Sequence, residues 1–226
     1  MNRGDRAEYD GHEVLLWPLE FINLTATPDS INHTVPQVTN SGLWDNGHTD
    51  NIDVWPLYAP CTMELLFSYS TGTINGHTQV WRSVNPVRIP ESDTPVYVTM
   101  GFGHADNLIY TIAGTVITQG THFYDTGTYG LGSGAHVHMI LYIGQRSNMF
   151  PTGYNSYVAG NIWYSDNAPQ NIATFFYTLP SDIRINTLGL NFIDYNGAIH
   201  TGGVNALLYY LMLRKNKRRL KVYDTA

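Results

Sequence analysis

From residue 61 to residue 145, apolar and polar positions alternate in short runs with the period of strands. Met63–Tyr69, Thr78–Val84, Val96–Met100, Leu108–Ile112, Thr115–Ile117 and His136–Ile143 are rich in β-branched or aromatic residues and are separated by Gly, Asn or Pro. Gly72–Gly76 and Gly127–Gly134 read as turns or open loops. No 3.6-residue apolar period is sustained before residue 145, so no helix is expected there. Upstream, residues 14–60 alternate apolar stretches with turn chemistry rich in Pro and Asn. After Gln145 the texture changes to Asn, Tyr and Gly, with strand candidates at Ala173–Tyr177 and Gly189–Phe192 and an ambiguous stretch at Ser181–Ile185. Asn205–Leu213 is the best helix candidate. The pattern predicts an all-β fold. Without repeats or a low-complexity linker, the expected organisation is a core over residues 1–145 and a C-terminal extension over residues 146–226 packed on it.

Composition sharpens this picture. Charged residues are 13% of the chain, about half the usual share, whereas 16 Tyr and 21 Gly favour strands and turns. The formal charge of −6 hides an asymmetry: six of the twelve Lys and Arg lie between Arg214 and Lys221. Without that tail, whose acid is Asp224, the body stands near −11. Such a body lacks the basic side chains that phosphate contacts require, so nucleic acid is not an expected partner for it. The basic tail is read as a solvated terminus, with contact to anionic wall polymers or nucleic acid as the alternative. No apolar run approaches the roughly 20 residues of a membrane span. Met1–Glu13 is polar and lacks the basic-then-apolar plan of a secretory leader. Cys61 is the single cysteine, which rules out an internal disulfide.

Candidate chemistry resides in the nine His residues. His136-Val137-His138 opens a predicted strand, so both imidazoles would project from one face. Alone, such a pair is a weak signal in a His-rich chain. Gly47-His48-Thr49-Asp50-Asn51-Ile52-Asp53-Val54 joins an imidazole to carboxylates at short separation, ahead of an apolar β-former. Zinc accepts both ligand types, and a catalytic zinc takes three protein ligands with one position left open. The same stretch also reads as a turn. Third, a strand runs into Gly101-Phe102-Gly103-His104, placing an imidazole at the mouth of a sheet. There it would orient water or stabilise an oxyanion.

In this order the three elements resemble the lysostaphin and LytM family of zinc endopeptidases. That family carries a His-x3-Asp motif, a mid-domain Gly-His and a late His-x-His behind a Gly-rich loop. Here the last of these is Gly127-Thr128-Tyr129-Gly130-Leu131-Gly132-Ser133-Gly134-Ala135-His136-Val137-His138. Val54–Leu65, with Tyr58-Ala59-Pro60, is similar to the strand that follows the family's first motif, and Ile117–Thr121 to its lead-in segment. The resemblance covers roughly residues 15–145. It implies an antiparallel β-sheet groove, with His48, Asp53 and His138 as zinc ligands and His104 and His136 as catalytic imidazoles. One departure stands out: four residues, not three, separate His48 from Asp53. The apolar flanks of Asp53 match the family's aspartate, and Asp50 stays open as the alternative.

The implied activity is hydrolysis of amide bonds in the stem peptides or cross-bridges of bacterial peptidoglycan. Residues 173–195 are similar to the C-terminal part of phage tail-associated members. That similarity implies phage tail proteins as partners and a virion or extracellular location. Tyr124, Asp125 and Tyr129 are read either as the lining of a substrate groove or as packing residues. His12, His33, His77, His122 and His200 have no motif partner and are expected in structural roles. A zinc amidase cutting between sugar and peptide is one alternative, and two readings without zinc chemistry also compete. One is an inactive structural or wall-binding phage tail module of the same fold. The other is a sugar-binding β protein using Trp44, Trp55, Trp81 and Trp163.

Overall fold

The computed structural model describes residues 4–26, 43–47, 54–70, 77–129, 134–146 and 171–201, so the turn expected at Gly72–Gly76 lies outside the described residues. His48, Asp50, Asp53 and the helix candidate Asn205–Leu213 lie outside the described residues. In chain order the strands are β1 (Glu8–Tyr9), β2 (His12–Glu13), β3 (Phe21–Ala26), β4 (Leu43–Gly47), β5 (Pro56–Tyr58), β6 (Met63–Ser70), β7 (His77–Ser83) and β8 (Val98–Ala105). They continue with β9 (Val116–Ile117), β10 (His122–Asp125), β11 (His136–Ile143), β12 (Tyr177–Thr178), β13 (Ile183–Asn186), β14 (Asn191–Asp194) and β15 (Ile199–Thr201). One helical turn, α1 (Ile172–Phe175), precedes β12. Among the described residues no helix is long and apolar enough to cross a membrane.

Eight strands form the central sheet in the order β13-β3-β4-β11-β8-β7-β6-β9. Every neighbouring pair is antiparallel except β13 with β3. The protein is therefore all-β and mainly antiparallel, as its hydrophobic pattern predicts. Alternation divides each long strand between two faces. On β11, Val137, Met139 and Leu141 enter the main core; on β8, Val98, Met100 and Phe102 do. The opposite face carries a smaller cluster of Val80 and Ile140. Both are cross-strand partners of Gly101, whose missing side chain lets them meet over β8.

A second layer closes the core. β10 pairs with β5 and sends Phe123 edge-on against Trp81 and Phe102, with ring centroids 5.5 and 5.0 Å apart. Trp17, fully buried, packs edge-on to Phe176 and Phe192 and donates its indole N–H to the Phe21 carbonyl at 2.8 Å. Phe176 and Phe192 thus place the segment 171–201 inside the same core as residues from the first half of the chain. Gln119, 2% exposed, ties the N-terminal segment down. Its amide accepts from Ala7 N–H and donates to the carbonyls of Val14 and Pro60.

Local reading and structure part in three places. Ala173–Tyr177 looks like a strand because Phe175, Phe176 and Tyr177 favour strands, yet the chain turns once as α1. Asn171 caps that turn by accepting from Ala173 N–H at 2.7 Å, and Ile172, Ala173 and Phe175 are buried by it. Leu108–Ile112 forms no strand. Two of its carbonyls accept from side chains instead, Tyr110 O from the Gln79 amide and Thr111 O from the Ser68 hydroxyl. The strand expected at Val96–Met100 begins at Val98 and runs on through the Gly-Phe-Gly-His sequence to Ala105.

Near the C-terminal end of the described chain, Asp194 organises the β14–β15 hairpin. Its carboxylate accepts from the N–H groups of Asn196 and Ala198 and from His200 Nε2, at 2.8–2.9 Å. Burial alone would raise the Asp194 carboxyl, but the His200 hydrogen bond and the two backbone N–H groups outweigh it and hold the carboxyl below its ordinary value of 3.8. A depressed folded-state pKa contributes stability that is present above the unfolded value and lost as pH falls through the folded one. Thermal stability is therefore expected to decline as pH falls below 3.8, and Asp194→Asn to remove that part of the decline. Melting curves of both proteins across the acid range test this. Superimposable profiles after normalisation would refute it.

Candidate functional site

The site assembles where the N-terminal end of β11 meets the C-terminal ends of β4 and β8. His136 and His138 alternate with the core residues Val137 and Met139, so both project from the face opposite the main core. His136 lies opposite Gly47 of β4. His138 lies between Asp45 of β4 and Gly103 of β8. Gly103 contributes no side chain, which leaves room beside the His138 imidazole. His138 is 8% exposed and His104 is 5% exposed.

Strict alternation along β8 would send His104 to the core side with Val98, Met100 and Phe102. It does not go there. Gln79 is the partner of Phe102, but His77 is the partner of Ala105, so three steps on β8 face two on β7. This is a β-bulge, and it resets the phase of the strand. Ala105 takes the core position and is fully buried, while His104 adopts φ +79. A side chain in that left-handed region costs of order 1–3 kcal/mol and persists only when its surroundings enforce it. The result is a cluster of three imidazoles. The His104 ring centroid lies 4.5 Å from that of His136 and 5.7 Å from that of His138, the latter edge-on.

The segment Gly127–Tyr129 enforces the conformation. Gly127 bridges to His136 through two backbone hydrogen bonds of 3.1 Å. Tyr129 N–H donates to the His104 carbonyl at 3.3 Å, and Thr128 N–H donates to the Asp106 carboxylate at 2.9 Å. A side chain at Gly127 would meet His104 O at 2.2 Å and Asp106 N at 2.5 Å, so only glycine lets this segment lie on the bulge.

The same backbone sets the proton positions. His104 Nδ1 lies 3.0 Å from the Tyr129 carbonyl oxygen, and His136 Nδ1 lies 2.7 Å from that of Gly134. A carbonyl oxygen only accepts, so both Nδ1 atoms carry hydrogen and Nε2 is the basic nitrogen of each neutral ring. Two such rings side by side can take up a proton at one Nε2 and deliver one from the other.

Of the five site residues expected from the sequence, His104, His136 and His138 converge in this way. His48 and Asp53 lie outside the described residues, although His48 directly follows Gly47, the partner of His136. Among the described residues no group of three His, Cys, Asp or Glu side chains is placed to hold a metal ion. Tyr124 does not line a groove: it is fully buried in the core. Asp125 is paired with His122 at 2.8 Å, and Tyr129 stacks on His77 with ring centroids 4.3 Å apart. Trp81, proposed above as a sugar platform, is also fully buried and packed edge-on by Phe123 and so cannot stack a sugar. The roles of Gly127 and Tyr124 escape sequence reading, because each depends on a strand distant in the chain. The only local signal is that both lie in the Gly-rich approach to His136.

No family model matches the sequence, and no curated protein matches it. Similar solved structures include a zinc containing peptidase from Vibrio cholerae, with TM-score 0.40 and 13% identity over 60% of this chain and 42% of that one. Another is the catalytic domain of a prophage-encoded M23 protein, EnpA, from Enterococcus faecalis, with TM-score 0.39 and 16% identity over 55% of this chain and 82% of that one. The SpoIIQ–SpoIIIAH pore forming complex is similar at TM-score 0.40 and 14% identity, over 58% of this chain and 84% of that one. This chain therefore spans less than half of the Vibrio peptidase.

Proposed function

We propose that the protein is a zinc-dependent endopeptidase that hydrolyses amide bonds in the peptide portion of bacterial peptidoglycan. The observation that carries this reading is the convergence of His104 with His136 and His138 on one face of the sheet, with a bulge spent on turning His104 toward the other two. Two of these imidazoles have their Nδ1–H held by carbonyls. The resemblance of His48, Asp53, His104, His136 and His138 to the lysostaphin and LytM motifs supports the same reading.

The donor chemistry fits zinc, which accepts imidazole nitrogen and carboxylate oxygen. Among the described residues His138 would be the ligand, and His48 with Asp53 would complete the set. Zinc, when bound, acidifies a water toward a pKa of about 7 and polarises the scissile carbonyl. The protein's own groups do the rest. His136 accepts the proton of the attacking water at Nε2. His104, once it has taken a second proton from solvent at Nε2 and become an imidazolium, donates it to the developing oxyanion or to the leaving amine. Backbone carbonyls hold the Nδ1–H of both rings, so the proton moves at Nε2 in each step. The substrate implies action at the cell wall, from a virion or from outside the cell, and phage tail proteins are the partners in this reading.

Turbidity of purified cell walls tests the proposal. The protein is expected to clear them, to stop when a chelator strips divalent ions, and to resume when zinc is restored. Clearing that persists undiminished after chelation would overturn the zinc mechanism. Failure to clear walls from any of a broad panel of bacteria, despite one bound zinc per chain, would overturn the substrate assignment.

A further inference from the structure

We infer that Tyr124 is a positioning residue for the histidine cluster: its hydroxyl, set between β7 and β8, holds the bulge that turns His104 toward His136 and His138. The inference rests on the reading of His104 as a catalytic imidazole and adds a residue that no motif supplies.

The argument begins with the bulge. In every second opposed pair of an antiparallel ladder the two residues exchange N–H···O=C bonds. At the opposed pair His77 and Ala105, the Ala105 N–H donates to the Tyr124 phenol oxygen at 3.0 Å. That hydroxyl donates in turn to the His77 carbonyl at 2.5 Å. One side chain thus takes both a donor and an acceptor from the rim of the sheet, at the residue directly after His104. Without it, the buried Ala105 N–H would have to find His77 directly, and the extra residue of the bulge would no longer fit.

Tyr124 is built for this task and for no direct chemistry. It is fully buried, packed between Phe102 and Phe123. Burial, opposed in part by the Ala105 N–H bond and reinforced by Asp106 and Asp125, pushes its phenol far above the ordinary range, so the hydroxyl stays neutral and keeps its proton to donate. It cannot touch a substrate. Through His77 it also reaches Tyr129, which stacks on the His77 ring and whose carbonyl holds His104 Nδ1. The hydroxyl therefore lies on both supports of His104, the backbone bulge and the ring's carbonyl partner.

Tyr124→Phe in the full chain tests this, because it removes one oxygen and leaves the aromatic packing. Amide exchange at Ala105 is expected to accelerate selectively. The NMR cross-peaks between the His104 and His136 rings should weaken, and kcat for wall clearing should fall about 10- to 100-fold while KM stays within about twofold, as for a displaced but intact group. Phe192→Leu, a substitution of a fully buried core ring that packs on Trp17, serves as the control. It should loosen the core without singling out Ala105. Unchanged Ala105 exchange and unchanged ring cross-peaks in Tyr124→Phe would overturn the inference, as would a change in KM alone.

Two arms keep the outcomes separate. If the wild type clears no walls, the hydrolase reading fails, and the Ala105 and His104 measurements still decide the role of Tyr124. If Tyr124→Phe does not fold, the wild type itself decides: a slowly exchanging Tyr124 hydroxyl proton with a cross-peak to the Ala105 amide supports the inference. Its absence overturns it.

Discussion

Gly127→Ala is expected to lower the melting temperature by about 6–12 °C, and to draw His104 away from its neighbours. The added methyl would lie 2.2 Å from His104 O, 2.5 Å from Asp106 N and 2.8 Å from Ala105 C, all backbone atoms. A flexible side chain could swing aside; a strand held on both edges cannot. Overpacking of this kind costs typically 1–3 kcal/mol, and backbone contacts place it near the upper end, about 3 kcal/mol. For a chain of this size each kcal/mol lowers the midpoint by about 2–4 °C. Relief has two routes, movement of the 127–129 segment or of the bulge, and each breaks the Tyr129–His104 hydrogen bonds. Wall clearing should fall together with stability. A variant that melts like the wild type and clears walls at the same rate would show that the segment is not clamped as described.

His138→Ala should lose both bound zinc and wall clearing, whereas His104→Ala and His136→Ala should keep the metal and lose clearing by about 10²–10⁴-fold, the range of general acid–base catalysis. The distinction follows from the proposed roles. Partners in the outer shell of a metal site are already worth about 10–100-fold in affinity, so removal of a direct ligand should cost more. Metal analysis of the three purified variants, alongside turbidity clearing, separates ligand from proton carrier. If His138→Ala retained zinc at wild-type stoichiometry, the ligand assignment would fail. If His136→Ala lost the metal instead, the two histidines of the pair would have exchanged roles. Because the Nδ1 atoms of His104 and His136 are both held by carbonyls, neither catalytic variant should disturb the other ring by tautomer change alone.

Short-range pattern made much of the sheet legible. The limits of β6 and β7 follow from β-branched and aromatic alternation to within one residue, and β11 coincides with the expected His136–Ile143. Its period of two also foretold that His136 and His138 share a face, because that depends on nothing beyond one extended strand. The strands β3, β4, β10 and β13 were not distinguishable in the sequence. Each is extended because a distant partner supplies its hydrogen bonds, as Ile183 does opposite Phe21. The turn at Ile172–Phe175 shows the reverse error, in which burial and an Asn cap override aromatic strand preference.

What the sequence determined by itself was the class of fold, the two-faced character of the long strands and the chemical identity of the imidazoles. These are properties of single segments, fixed by the alternation of side chains and by residue type. Tertiary structure alone decided where His104 points. A regular β8 would bury it with Phe102, and only the bulge opposite His77, supported by Tyr124 and the bare backbone of Gly127, carries it to the other face. The reason is physical: the phase of a strand can be reset only by a mismatch against its neighbour, and the neighbour's register is written in another part of the chain.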